Sequence, residues 1–100
     1  MKIVINACYG GFSVSKEFLK AYNIPYRTSS FNFVHSEEFI DRTDPRLIEF
    51  IETHGSEMAS GPYSKLVVRE IPKGTLYRIT EYDGYEGIET ADSIGWEIAT

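Results

Sequence analysis

The chain of 100 residues holds one cysteine, one tryptophan and two histidines, and it lacks any long apolar run. A single thiol, Cys8, rules out an internal disulfide framework and, on its own, a cysteine-rich zinc site. No apolar stretch approaches the roughly 20 residues that a membrane-spanning helix needs. Positive charge is also scarce: ten Lys and Arg stand against fifteen Asp and Glu, for a formal net charge of -5. Bulk attraction to nucleic acid or to an anionic membrane is therefore not expected. The opening apolar residues Ile3, Val4 and Ile5 stop at Asn6 with no small-residue cleavage pattern after them, so a cytosolic chain is expected.

Apolar residues at 42% and charged residues at 25% lie near globular averages, and a chain of 100 residues is the usual size of one domain around one core. The charge is unevenly spread. Residues 1–35 carry a net +3, 36–60 carry -5, 61–80 carry +3 and 81–100 carry -6. Two acidic segments thus leave the opening stretch mildly basic, unlike an acidic mimic of DNA, whose carboxylates would cover most of the surface.

The stretch Lys2 to Ala21 reads as an apolar strand, a Gly10-Gly11 turn and an amphipathic helix. Three contiguous β-branched residues predict a strand buried on both faces and central in a sheet. Ser13 or Ser15 is a suitable cap for the helix, and Val14, Phe18, Ala21 and Tyr22 share one face of it before Asn23 and Pro25 end it. Phe31, Phe33 and His35 alternate as in a short strand. Asp44 as cap, Pro45 at the first helical position and Gly55 as terminator bound a second helix with Leu47, Ile48 and Ile51 inward. Ser56 to Pro62 reads as a loop. Lys65 to Ile71 and Thr75 to Tyr82 alternate around Pro72-Lys73-Gly74, which predicts a hairpin; Asp83-Gly84 predicts a second turn into a strand over Tyr85 to Glu89. Trp96 is expected to close one end of the core. The whole predicts a single α+β domain over residues 1–100: strand, loop and helix, a second helix, then a C-terminal antiparallel hairpin or meander completing one sheet.

The strings CYGGFSVS, RTDPRLIEFIETHG and KLVVREIPKGTLYRITEYDGYEGIE together resemble a family of small uncharacterised proteins of tailed bacteriophages, over roughly residues 1–89. The resemblance carries no activity. It implies a viral accessory protein working in the host cytoplasm.

Three constellations carry candidate chemistry. Tyr9, Gly10, Gly11, Ser13 and Lys16 supply amides, hydroxyls and a cation that would suit a small anionic ligand such as a phosphate or nucleotide, although the pattern is neither of the two familiar glycine-rich phosphate fingerprints. Cys8 is a candidate nucleophile if His35 or His54 approaches it as a base, with a plain core cysteine as the simpler reading. Tyr82, Asp83, Tyr85 and Glu86 form an acidic, tyrosine-bearing segment suited to a basic protein surface, here a host or defence protein. Glu37, Glu38, Asp41 and Asp44 do not have the spacing of a calcium loop and read as a solvated acidic surface, so no metal and no cofactor is expected. The leading expectation is a binding protein, and a small enzyme using Cys8 is the competing class.

Overall fold

The computed structural model describes residues 1–29 and 34–90. Phe31 and Phe33 of the expected short strand, and Trp96, lie outside the described residues. The architecture is α+β, with nine short elements and antiparallel strand pairing throughout the described residues.

The first strand, β1 (Lys2–Asn6), pairs antiparallel with β4 (Leu66–Glu70) from Lys2 opposite Glu70 to Asn6 opposite Leu66. Met1 and Ile71 extend this ladder by exchanging two hydrogen bonds between the terminal amine, the amide and the two carbonyls. Side chains of β1 alternate between two apolar clusters, as the period of a strand requires. Val4 joins Leu66 and the helices on one side. Ile3 and Ile5 join Ile71 on the other, where Val67, Ile79 and Ile88 pack against them. The β1–β4 ladder is thus a middle layer, and burial on both faces of β1 is as the sequence predicts.

Its place in the sheet is not. Among the described residues β1 pairs with β4 alone, and its other edge meets single acceptors: the Arg42 carbonyl takes the Val4 amide at 2.8 Å and a Glu86 carboxylate oxygen takes the Asn6 amide at 2.9 Å. A strand whose spare N–H groups meet fixed acceptors needs no second neighbour, since the buried donors are satisfied.

On the helical side, α1 (Lys16–Ala21) starts at Ser15, whose hydroxyl accepts the Phe18 amide. It ends through Asn23 in the left-handed region, with the Asn23 amide bonded to the Lys20 carbonyl and the Ile24 amide to the Leu19 carbonyl. That double closure is a Schellman motif, and it brings Ile24 and Leu19 into one core. The buried helix residues are Phe18 and Leu19, whereas Ala21 is exposed. The expected face shifts because the helix is short and Val14 lies ahead of it, bridged to Ser60. The second helix, α2 (Pro45–His54), has the predicted limits: Asp44 accepts the Arg46 amide and Gly55 closes onto the Ile51 carbonyl. It buries Leu47, Phe50 and Ile51. Residues expected to be loop contain one helical turn, α3 (Ser56–Ala59), which buries Ala59 and lets Ser60 bond back to Ser56.

The hairpin predicted around Pro72-Lys73-Gly74 does not form a ladder. The turn itself is made, with the Thr75 amide on the Pro72 carbonyl and φ of 85° at Gly74, but the strands it joins belong to different pairs. β4 is committed to β1, where both faces are covered, and β5 (Tyr77–Tyr82) pairs instead with β6 (Tyr85–Thr90). Asp83 and Gly84 connect β5 to β6 with positive φ of 51° and 86°, the signs of a type I′ turn, as the Asp-Gly pair predicts. A third pair, β2 (Tyr26–Thr28) with β3 (Val34–Ser36), lies at the periphery. In place of one completed sheet there are three two-stranded ladders among the described residues.

Candidate functional site

The β5–β6 hairpin presents Ile79, Ile88 and Glu86 on the face that meets β1, because Ile79 lies opposite Ile88 and Glu81 opposite Glu86 in the register. The other face carries Tyr82 opposite Tyr85 and the exposed Arg78–Glu89 ion pair. At the tip of the hairpin Gly84 rests directly on the first loop. A Cβ there would lie 2.7 Å from both the backbone nitrogen and carbonyl carbon of Gly10, so only glycine permits the approach. Gly10 is pressed in turn against Tyr63, whose carbonyl a side chain at position 10 would strike. The Gly10-Gly11 pair is therefore a docking point for two other segments.

Asn6 organises this junction. It is fully buried, and its amide group donates to the carbonyls of Cys8 and Gly84, each at 2.8 Å. Its side-chain oxygen accepts from the Lys65 amide at 2.8 Å, with Ser64 and the Cys8 thiol at 3.3 and 3.4 Å. One side chain thus ties β1, the first loop, the segment before β4 and the hairpin tip. Sequence reasoning treats Asn6 only as the end of an apolar run; a polar residue closing a run that is otherwise buried on both faces was the available signal.

Glu86 is the second fastening, and here the expectation is corrected. It is 6% exposed, and its two oxygens are used internally, one on the Asn6 amide and the other on the Arg42 guanidinium. It braces the hairpin and is not a contact offered to a partner. Arg42, which the sequence does not single out, stacks its guanidinium 4.4 Å from the Phe12 ring centre while bonding Glu86.

Beside this junction opens a cleft of about 650 Å³ lined by Tyr9, Gly10, Gly11, Phe12, Arg42, Glu81, Asp83, Gly84 and Glu86. The structure thus brings part of the expected anion site together with part of the expected protein-binding face. Tyr9 is 65% exposed and its ring lies 5.3 Å from that of Tyr85, itself 44% exposed. Tyr82, at 77%, leads into the turn, and Tyr63, at 71%, flanks Gly10. Glu81 accepts the Gly84 amide with one oxygen; Asp83 has no side-chain partner among the described residues.

The remaining expected site residues lie elsewhere. Ser13 bonds the Pro62 carbonyl, and Lys16 lines a separate cleft with Ser15, Glu17, Thr28 and Val34. The glycine turn and the front of α1 line separate clefts, four residues lie between them, and Ser15 already caps the helix. The cleft also carries three carboxylates against one guanidinium that is spent on Glu86, a balance that opposes an anion and favours a cation. Cys8 is half-buried and bonds Asn6 and the Tyr63 carbonyl, outside both apolar clusters. His35 bonds Ser29 and His54 packs 4.6 Å from the Phe50 ring, so neither histidine is paired with the thiol. Of the acidic residues weighed for a metal, Asp44 caps α2 and pairs with Arg46, Glu38 pairs with the same arginine, and Asp41 binds the Thr43 amide and hydroxyl. Those bonds hold the carboxyls of Asp44 and Asp41 below their ordinary range, through Arg46 and Thr43 respectively. Among the described residues no helix is long and apolar enough to cross a membrane. No protein-family model, curated protein or solved structure matches the chain.

Proposed function

We propose that the chain is a phage-encoded accessory protein that acts in the host cytoplasm by binding a host or defence protein through the tyrosine-bearing acidic surface at the hairpin tip. The observation that carries this reading is the exposed Tyr9 ring, set against Tyr85 and lining a cleft with Glu81 and Asp83, beside the exposed Tyr82 of the hairpin tip. Tyrosine supplies large, rigid contact area at low conformational cost, and carboxylates steer a basic partner into register. The supports beneath it are fixed by buried hydrogen bonds at Asn6 and Glu86, so the surface is held in shape before a partner arrives. The resemblance of the CYGGFSVS and EYDG segments to tailed-phage proteins supports the viral setting.

The test is affinity capture from phage-infected cells with the tagged chain, run beside a Tyr82→Ala/Asp83→Asn/Tyr85→Ala variant whose circular dichroism matches the parent. Asparagine is chosen at position 83 because it tolerates the left-handed backbone there. A partner that the parent retains, that the variant loses, and that salt weakens supports the proposal. Equal retention by the variant overturns it.

A further inference from the structure

The chain already contains one guanidinium held by an aromatic ring and a carboxylate. Arg42 lies over Phe12 at 4.4 Å and bonds Glu86, which neutralises it inside the cleft wall. The same pair of chemical elements recurs on the open side of that cleft, where no second Lys or Arg stands among the described lining residues. Tyr9 offers an exposed ring, 5.3 Å from that of Tyr85, and Asp83 and Glu81 of the hairpin line the same cleft. Asp83 has no partner among the described residues, and one oxygen of Glu81 remains after the Gly84 amide is satisfied. With Arg42 and Glu86 cancelling, the cleft keeps the charge of these two carboxylates.

A cation entering there gains from the ring face and from the carboxylates together, and a planar fork of N–H donors fits that combination better than a compact ammonium. We propose that the cleft receives the side chain of an arginine on a basic segment of a partner protein, its plane against Tyr9 and its N–H groups on Asp83 and Glu81. This rests on the reading of the hairpin tip as a protein-binding surface and names the residue type that the surface recognises. An anionic ligand at the same place would face both carboxylates, and a neutral one would leave them unused.

The experiment is an NMR titration of the full chain with three tripeptides, acetyl-Gly-X-Gly-amide, in which X is arginine, lysine or the uncharged arginine isostere citrulline. The arginine peptide is expected to give saturable shifts of the Gly10, Gly11 and Gly84 amides, binding about tenfold more tightly than the lysine peptide. The citrulline peptide is expected to give none, and Asp83→Asn together with Glu81→Gln to abolish the arginine response while the remaining spectrum is preserved. Tyr9→Leu, at an exposed position, is expected to weaken arginine binding and narrow its lead over lysine. Equal response to arginine and lysine overturns the guanidinium assignment, as does an absence of shifts at the glycine amides. Either result leaves the broader surface to its own test, because a captured partner that depends on Tyr82, Asp83 and Tyr85 would still stand.

Discussion

The two faces of the β1–β4 ladder are held in different ways. Toward the helices, eleven buried residues among those described, from Val4 to Leu66, form one cluster in which Phe18, Leu19, Leu47 and Leu66 are sealed from solvent. Toward the hairpin, the buried set is Ile3, Ile5 and Ile71, supplemented by partly covered Val67, Ile79 and Ile88. Among the described residues the second face buries fewer apolar side chains and adds directed bonds: Asn6 to Gly84, Glu86 to the Asn6 amide, and Glu86 to Arg42. Apolar burial is nondirectional and tolerates small shifts, whereas a buried carboxylate with both oxygens engaged fixes where the hairpin sits. The candidate cleft lies on the side that is fixed in this second way, which suits a surface whose value depends on geometry.

Replacing one residue on each face sharpens this contrast. The largest effect is expected from Leu47→Ala in the helical core, about 3–4 kcal/mol by the usual cost of emptying a fully buried leucine site. Denaturant unfolding would read it as a lower midpoint, with amide exchange accelerated across the whole molecule.

Glu86→Ala is expected to cost about 3 kcal/mol, because it leaves Arg42 and the Asn6 amide without their acceptor in a buried setting. Its signature differs from that of Leu47→Ala. Exchange protection should fall in β5 and β6 well before it falls in α1 and α2, and Glu86→Gln, which keeps an acceptor for Asn6, should recover part of the loss. Uniform loss of protection in Glu86→Ala would break the contrast, since the hairpin would then be no separately fastened unit.

The smallest effect is expected at the α2 cap, on the helical side. Asp44→Ala should cost about 1 kcal/mol at neutral pH. The Asp44 carboxyl is held low in the folded chain, chiefly by its hydrogen bond from Arg46. Its contribution is therefore fully present above the unfolded-chain value of about 4 and is lost as pH falls through the folded value. Unfolding measured at neutral pH and at increasingly acid pH should show the parent and Asp44→Ala converging as the medium acidifies. A gap that stays constant would show that the charge of Asp44 contributes nothing.

Local chemistry was enough to place several elements. Asp44, Pro45 and Gly55 bound α2 because capping and termination act within a few residues of the backbone they satisfy. Asp83-Gly84 sets the β5–β6 hairpin because both positions need positive φ, and the run Ile3-Val4-Ile5 states its own burial on two faces. The partner of each strand was not legible. Alternation along β4 is the same whether β1 or β5 lies beside it, and the pairing that forms joins residues sixty or more positions apart. The cleft was legible only in fragments, since Tyr9, Gly10 and Asp83 could be marked as candidates while their meeting could not. Asn6 and Glu86 stand eighty residues apart, and no short-range pattern records a hydrogen bond between them. Which polar groups become buried, and which carboxylates stay free to meet a partner, is settled when distant segments compete for the same edge of one strand.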